Sequence, residues 1–110
     1  MKRLLVLLAL TTATFLVASA HPPKQIKLSL EHNVLTADIL HPVGDPADHY
    51  ISQIIVKIDG KVVNESDLKR QTDKNHELIT LEIPTDGKEI EVTATCNKFG
   101  SKIQKLSIPK

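Results

Sequence analysis

Short runs in which apolar and polar residues alternate follow one another along the chain after residue 20. A period of two turns one face of a segment toward a core and the other toward solvent, which is typical of half-buried strands. No segment keeps a helical period for several turns, so the pattern does not favour helices. The apolar members of the runs are Ile26, Leu28 and Leu30; Leu35, Ala37 and Ile39; Ile54, Val56 and Ile58; Ile79, Leu81 and Ile83; and Ile90, Val92, Ala94 and Cys96.

Turn-forming residues separate these runs. Asp59-Gly60 and Asp86-Gly87 favour the positive-φ turns of β-hairpins, and the segment HPVGDPAD contains two prolines and a glycine. The closing segment SKIQKLSIP supplies one further strand. A chain of 110 residues suits a single domain. The sequence therefore predicts an all-β protein, an immunoglobulin-like antiparallel β-sandwich of about seven strands.

The first 20 residues differ from the rest of the chain. A basic start precedes an uncharged apolar stretch that ends in the small residues Ala18-Ser19-Ala20. This is the form of a secretory signal peptide with an A-x-A cleavage site, although the apolar stretch is nearly long enough for a membrane anchor. Cleavage is favoured because the polar, proline-rich HPPK follows directly. We therefore expect a signal peptide at 1–20 and a mature domain at 21–110, periplasmic or secreted, with no membrane span after cleavage.

The charge balance and the single cysteine limit the classes of protein that remain. Loss of Lys2 and Arg3 with the signal peptide would leave 12 of the 14 basic residues against 13 acidic ones, a net charge of −1. Nucleic-acid binding calls for a basic stripe, so we expect no nucleic-acid partner. Cys96 is the only cysteine, which excludes an internal disulfide. A lone thiol in an oxidising compartment is expected to be buried or ligated to a metal.

Two histidines flank the loop that precedes the third predicted strand. His41 ends the strand VLTADIL, and His49 begins the strand YISQIIVKI. Cys96 has the core-facing parity of EIEVTATC and closes that strand. Strand ends on a rigid sheet are where functional groups are commonly mounted. Taken singly, each histidine reads as a solvated side chain and Cys96 as a small buried hydrophobe, but together they predict metal ligands that converge at one end of the sandwich.

These residues lie in segments that resemble a known family. HPVGDPADHYI, residues 41–51, resembles the H-P-x(4)-H-[YH]-I segment of the superoxide reductases, the iron-binding domain of desulfoferrodoxin and neelaredoxin. CNKFG, residues 96–100, resembles the C-N-x-H-G segment of that family, and HPP at 21–23 is similar to its H-V-P. The resemblance spans nearly the whole expected mature chain. It implies an immunoglobulin-like sandwich and a desulfoferrodoxin-like iron-binding domain.

The resemblance also implies a ligand set and an activity. In the family, a mononuclear non-haem iron lies in a square pyramid of four equatorial histidines and one axial cysteine thiolate. His21, His41 and His49 match three of those histidines, and Cys96 matches the thiolate. Imidazoles suit ferrous iron, and an axial thiolate pushes electron density onto the metal. The chain is therefore expected to bind iron and, as an oxidoreductase, to reduce superoxide; its electron donor is unknown, since an exported protein cannot use a cytosolic rubredoxin.

The chain departs from the family at three places. The fourth family histidine, three residues after the cysteine, is replaced by Phe99, which cannot ligate a metal. The loop segment VGDPAD is two residues longer than its counterpart and is expected to bulge outward so that His49 stays within reach. The family's Glu-Lys pair before the first histidine, whose lysine is thought to attract superoxide, is absent. These differences weaken the expectation of catalysis more than that of iron binding.

Two alternatives remain open from the sequence. If cleavage follows Ala20, His21 offers both an α-amino and an imidazole nitrogen, a chelating pair typical of copper sites. This pair would compensate for the coordination lost at Phe99 and would make the chain an exported copper-binding β-sandwich. The second alternative is a metal-free sandwich that binds a protein partner through an edge strand. Metal analysis of the purified protein distinguishes iron, copper and neither.

Overall fold

The computed structural model describes residues 21–109, and the predicted signal peptide at 1–20 lies outside this range. Within it the chain forms seven β-strands. No helix among these residues is long and apolar enough to cross a membrane. The strands are β1 (Gln25–Glu31), β2 (Val34–Leu40), β3 (Ile51–Ile58), β4 (Lys61–Asp67), β5 (His76–Glu82), β6 (Glu89–Cys96) and β7 (Ser101–Ser107).

The strands form two antiparallel sheets. One sheet has three strands in the order β1-β2-β5, and the other has four in the order β4-β3-β6-β7. The chain passes from one sheet to the other between β2 and β3, between β4 and β5, and between β5 and β6. This is the immunoglobulin-like β-sandwich that the alternating pattern predicted, and the fold class is confirmed.

The core consists of the inward-facing positions of the two sheets. In the four-stranded sheet, Val56 of β3 pairs with Val92 of β6, and Ile54 pairs with Ala94, so that apolar side chains lie side by side on the inner face. Leu35 of β2, which belongs to the three-stranded sheet, is also fully buried. These are the period-two positions of the sequence, and their burial supplies the main driving force for folding.

The edge strand β4 does not follow the alternating pattern. Its sequence KVVNESD contains no buried residue, and Val62 and Val63 are both exposed. An edge strand far from the centre of the core needs no alternation, because neither of its faces is fully covered. The strand is instead added through its antiparallel pairing with β3.

One end of the sandwich brings together three chain segments. β2 ends at Leu40, β3 begins at Ile51, and Ile51 pairs with Cys96 at the end of β6. The connection 41–50 crosses from the three-stranded sheet to the four-stranded sheet at this end. The residues next to these strand ends therefore lie together at one end of the sandwich, although some follow strands of one sheet and some belong to the other.

Candidate metal centre

Three histidines meet at this end of the sandwich. His41 follows β2, His49 lies two residues before β3, and His21 precedes β1. Their ligand nitrogens all lie within 4.8 Å of one another. The ring centroids are 5.0 Å apart for His21 and His41, 5.2 Å for His21 and His49, and 4.9 Å for His41 and His49. Two metal–imidazole bonds of about 2.0 to 2.1 Å join nitrogens that are at most about 4.2 Å apart, so the rings need to approach one another only slightly to share a single ion.

Cys96 contacts this group through His49. Its side chain is buried and forms no disulfide, and its Sγ lies 3.1 Å from Nε2 of His49. The backbone N–H of Lys98 donates to Sγ over 3.3 Å. The thiolate is the form of cysteine that ligates metals. The structure thus places the thiol beside the histidine group, and the assignment of the four residues as ligands stays a prediction.

Asn97 fastens the turn after Cys96 to the chain around His49. Its Oδ1 accepts a hydrogen bond from the backbone N–H of Tyr50 over 2.9 Å, and its Nδ2 donates to the carbonyl oxygen of Asp48 over 3.0 Å. The backbone N–H of Asn97 also donates to the Tyr50 carbonyl oxygen. His49 lies between the two residues that Asn97 holds, so these bonds fix the distance between His49 and Cys96.

The position of His21 depends on Pro22, which packs against Gly100 in the turn after Cys96. Gly100 has a positive φ of 81°, and a Cβ built on it would lie 2.8 Å from Cβ of Pro22. Glycine therefore permits both the left-handed backbone and the close approach of Pro22. The ring nitrogens of His21 lie 3.0 Å from the Pro22 carbonyl oxygen and 3.1 Å from that of Pro42. A neutral ring carries one N–H, so only one of these contacts is then a hydrogen bond and the other nitrogen keeps its lone pair.

The surroundings of His49 favour its neutral form. Burial lowers the pKa of His49 below its ordinary value, and the nearby rings of His41 and His21 and the charge of Lys98 lower it further. Asp48 opposes this effect, but the net shift of the pKa is downward. A neutral imidazole is the form that binds metals, so protons compete less well for His49 than for a histidine in water.

His41 is fully buried and has a partner that the sequence did not reveal. Its Nδ1 lies 2.7 Å from Oε1 of Gln71, which is itself only 1% exposed. Gln71 stands in the polar segment KRQTD between β4 and β5, where a glutamine is usually solvated. No motif or spacing marks it, because the contact joins residues 30 positions apart.

The two departures near the site have clear positions in the structure. Phe99 is 56% exposed, so its side chain lies largely in solvent. In the long loop, the carbonyl oxygen of Asp45 accepts hydrogen bonds from the backbone N–H groups of Asp48 and His49 over 3.0 and 2.9 Å. The loop therefore coils into a turn over 45–49, and it exposes Ala47 and Asp48 while His49 stays partly buried.

Comparisons with known proteins bear on the fold. No family model matches the chain, and none of the curated proteins matches it. The structure is similar to a superoxide reductase from Giardia intestinalis, with 12% sequence identity, 79% of this chain and 99% of that chain covered, and a TM-score of 0.63.

Two further solved structures give the same picture. A superoxide reductase in the oxidised state is 14% identical, with 81% of this chain and 88% of that chain covered, and has a TM-score of 0.54. A hypothetical protein from Pyrococcus horikoshii is 15% identical, with 81% and 87% covered, and has a TM-score of 0.53. The described part of this chain therefore has the fold of the superoxide reductases, as the resemblance of its histidine and cysteine segments predicted.

Proposed function

We propose that this chain binds a mononuclear iron through His21, His41, His49 and Cys96. The observation that carries the proposal is the group of three imidazoles whose nitrogens lie within 4.8 Å of one another. The thiol of Cys96, 3.1 Å from one of these nitrogens, adds a fourth donor. The superoxide reductase fold supports iron as the metal.

The donor set fits iron by its chemistry. Imidazole nitrogens are borderline ligands and a thiolate is a soft one, so together they suit iron or copper. Calcium and magnesium prefer oxygen ligands and do not match. The lowered pKa of His49 favours the deprotonated state that ligation requires.

The proposed reaction is the reduction of superoxide by an exported protein. The solved relatives named superoxide reductases support this substrate, and the form of residues 1–20 supports export to the periplasm or the medium. Thiolate-ligated iron, when bound, supplies one-electron chemistry toward dioxygen species. One superoxide takes one electron and two protons to give one hydrogen peroxide, and the electron comes from an external one-electron donor protein. His21, His41, His49 and Cys96 serve to bind and orient the ion.

Metal analysis is the first test of this proposal. The full chain, purified anaerobically after expression with its own first 20 residues, should contain about one iron per chain. In the oxidised protein, Cys96→Ser should abolish the sulfur-to-metal charge-transfer band, because only the thiolate produces it. Stoichiometric copper would instead favour the copper-binding alternative, and metal-free protein that takes up neither ion would favour the partner-binding sandwich.

A matched pair of histidine variants separates ligation from general effects. His49→Ala should lower iron content strongly, because it removes a donor that also contacts Cys96. His32 lies in the turn between β1 and β2 with a positive φ of 59°, and His32→Asn should leave iron content unchanged, since asparagine tolerates that backbone.

Superoxide pulses should oxidise reduced wild-type protein in a one-to-one ratio. Iron-loaded protein that does not react would refute superoxide reduction but not iron binding.

A further inference from the structure

Gln71 is a buried glutamine beside the three histidines that belongs to none of the motifs and to no ligand set. It is 1% exposed, and its Oε1 lies 2.7 Å from Nδ1 of His41. We propose that Gln71 is a positioning residue that holds the ring proton of His41 on Nδ1 and so leaves the lone pair of Nε2 free for a metal ion. The inference rests on the proposed metal site, although the position of the proton can be measured without any metal.

The orientation of the Gln71 side-chain amide is fixed by backbone groups. Its Nε2 lies 2.7 Å from the carbonyl oxygen of His41 and 3.0 Å from that of Asp73. Carbonyl oxygens only accept hydrogen bonds, so the NH₂ end of the amide must face them and both of its N–H groups are used. Turning the amide over would place its oxygen against two carbonyl oxygens in a buried position. The oxygen end therefore faces His41.

The amide orientation decides where the proton of His41 lies. An amide oxygen cannot donate, so the 2.7 Å contact is a hydrogen bond only if Nδ1 carries the hydrogen. The hydrogen bond at one ring nitrogen sets the state of the other, and the neutral ring then holds its lone pair on Nε2. The two backbone carbonyl groups thus fix the orientation of the Gln71 amide, and the Gln71 amide fixes the position of the proton on His41.

Nε2 is the nitrogen of His41 that Gln71 does not contact. It lies 3.3 Å from the carbonyl oxygen of His21, a longer contact than the 2.7 Å between Nδ1 and Gln71, so the one proton of a neutral ring is better placed on Nδ1. The ring centroid of His41 is 5.0 Å from that of His21 and 4.9 Å from that of His49. Nδ1 is covered by Gln71 and is not available to an ion. Ligating histidines commonly donate their second N–H to a carboxylate or carbonyl group that fixes the ring, and Gln71 has this arrangement.

Gln71 also ties the ring to the two loops around it. Its backbone N–H donates to the carbonyl oxygen of Pro46, which lies in the connection that contains His49. Its side chain reaches the carbonyl oxygen of Asp73 just before β5. A ligand whose ring is held before the ion arrives loses less conformational entropy on binding. Gln71 therefore both selects the tautomer of His41 and limits the motion of its ring.

The first experiment measures the tautomer in metal-free protein. Long-range ¹H–¹⁵N NMR correlations at a pH above the pKa of free histidine distinguish Nδ1–H from Nε2–H rings. Wild-type His41 should show the Nδ1–H form, whereas histidine in water favours Nε2–H. If wild-type His41 carries its proton on Nε2, the proposal is overturned, and this result needs no variant.

Two variants and a control then separate the acceptor from the rest of the side chain. Gln71→Met keeps the volume but removes the acceptor, so His41 should move toward the Nε2–H form. Gln71→Glu keeps an acceptor oxygen, so His41 should retain the Nδ1–H form even if the variant is less stable. Thr72→Val is the control in the same loop, because the Thr72 hydroxyl donates to Glu77 and makes no bond to His41. A Gln71→Met protein that folds and keeps the Nδ1–H form would count against the proposal.

The second experiment measures iron(II) affinity by anaerobic titration of the same proteins. Gln71→Met should bind roughly 10- to 100-fold more weakly, as found when partners of ligating histidines are removed, while Thr72→Val should bind as the wild type does. Equal affinities in Gln71→Met and wild type would refute the positioning role but leave the proposed function intact. Wild-type protein that binds no metal would refute the proposed function, and the NMR result on His41 would still stand by itself.

Discussion

Replacing Gly100 with alanine tests how the fold positions His21. The residue has a φ of 81°, and an alanine Cβ would lie 2.8 Å from Cβ of Pro22. A left-handed backbone costs a residue with a Cβ about 1–2 kcal/mol. Carbon atoms in contact normally lie about 3.5–4.0 Å apart, so Pro22 must retreat by roughly 1 Å. His21 precedes Pro22 directly, and its imidazole is displaced with the proline.

The expected result has two parts. Urea unfolding of the metal-free protein should show a loss of about 1–2 kcal/mol, which for a domain of this size corresponds to a decrease in Tm of roughly 4–15 °C. Iron(II) affinity should fall by about tenfold or more, because ligands need to be held within about 0.5 Å of their working geometry. The first part reports backbone strain, and the second reports the displacement of His21.

Gly60 supplies the matched control. It has a φ of 85° in the turn between β3 and β4, at the opposite end of β3 from the histidines, and a Cβ built on it meets nothing within 4 Å. Gly60→Ala should therefore lose a similar amount of stability and keep its iron affinity. If Gly100→Ala loses no more affinity than Gly60→Ala, the packing of Pro22 on Gly100 does not position His21, and that reasoning is wrong.

Three further predictions concern the neighbourhood of the site. Burial raises the pKa of Glu77 above its ordinary value. At a pH between the pKa of the unfolded chain and that of the folded protein, the folded protein keeps a proton that the unfolded chain has lost, so the folded protein becomes less stable as the pH rises. Glu77→Gln should thus gain stability relative to wild type in urea unfolding as the pH is raised above 4.5, the ordinary pKa of a glutamate, and a constant difference would contradict this. Asn97→Ala should weaken iron(II) binding in titrations, because it removes the two side-chain hydrogen bonds to the residues on either side of His49 and keeps only the backbone bond to Tyr50; an unchanged affinity would show that these side-chain bonds do not position His49. Phe99→His restores the family's C-x-x-H spacing and should tighten iron binding at a cost of at most about 1 kcal/mol, since Phe99 is 56% exposed; a folded variant with unchanged iron affinity would mean that this position does not face the metal.

Most strands were predictable because their inner and outer faces differ. β2 and β6 alternate buried and half-buried residues along most of their length, and a period of two in the sequence reports that difference directly. β4 could not be found in this way, because none of its residues is buried. Its position is decided by hydrogen bonds to β3, and backbone pairing leaves no periodic signal in the side chains.

The candidate site was predictable where it depends on strand ends and not where it depends on loops. His41, His49 and Cys96 flank predicted strands, so the fold brings them to one end. His21 follows no strand, and only its likeness to the family's H-V-P segment indicated it. Gln71 gave no signal, since a glutamine between charged residues looks solvated until the loop is folded against His41.

The arrangement of the proposed ligands has a consequence for stability. His21 and His41 flank strands of the three-stranded sheet, while His49 and Cys96 flank strands of the four-stranded sheet. Among the described residues the two sheets are otherwise held together chiefly by apolar side chains, and no disulfide joins them, since Cys96 is free. An ion ligated from both sheets binds only while the sheets are packed, so its binding free energy adds to that of folding. The metal would thus stabilise the packing of the two sheets, as a disulfide does in many small domains.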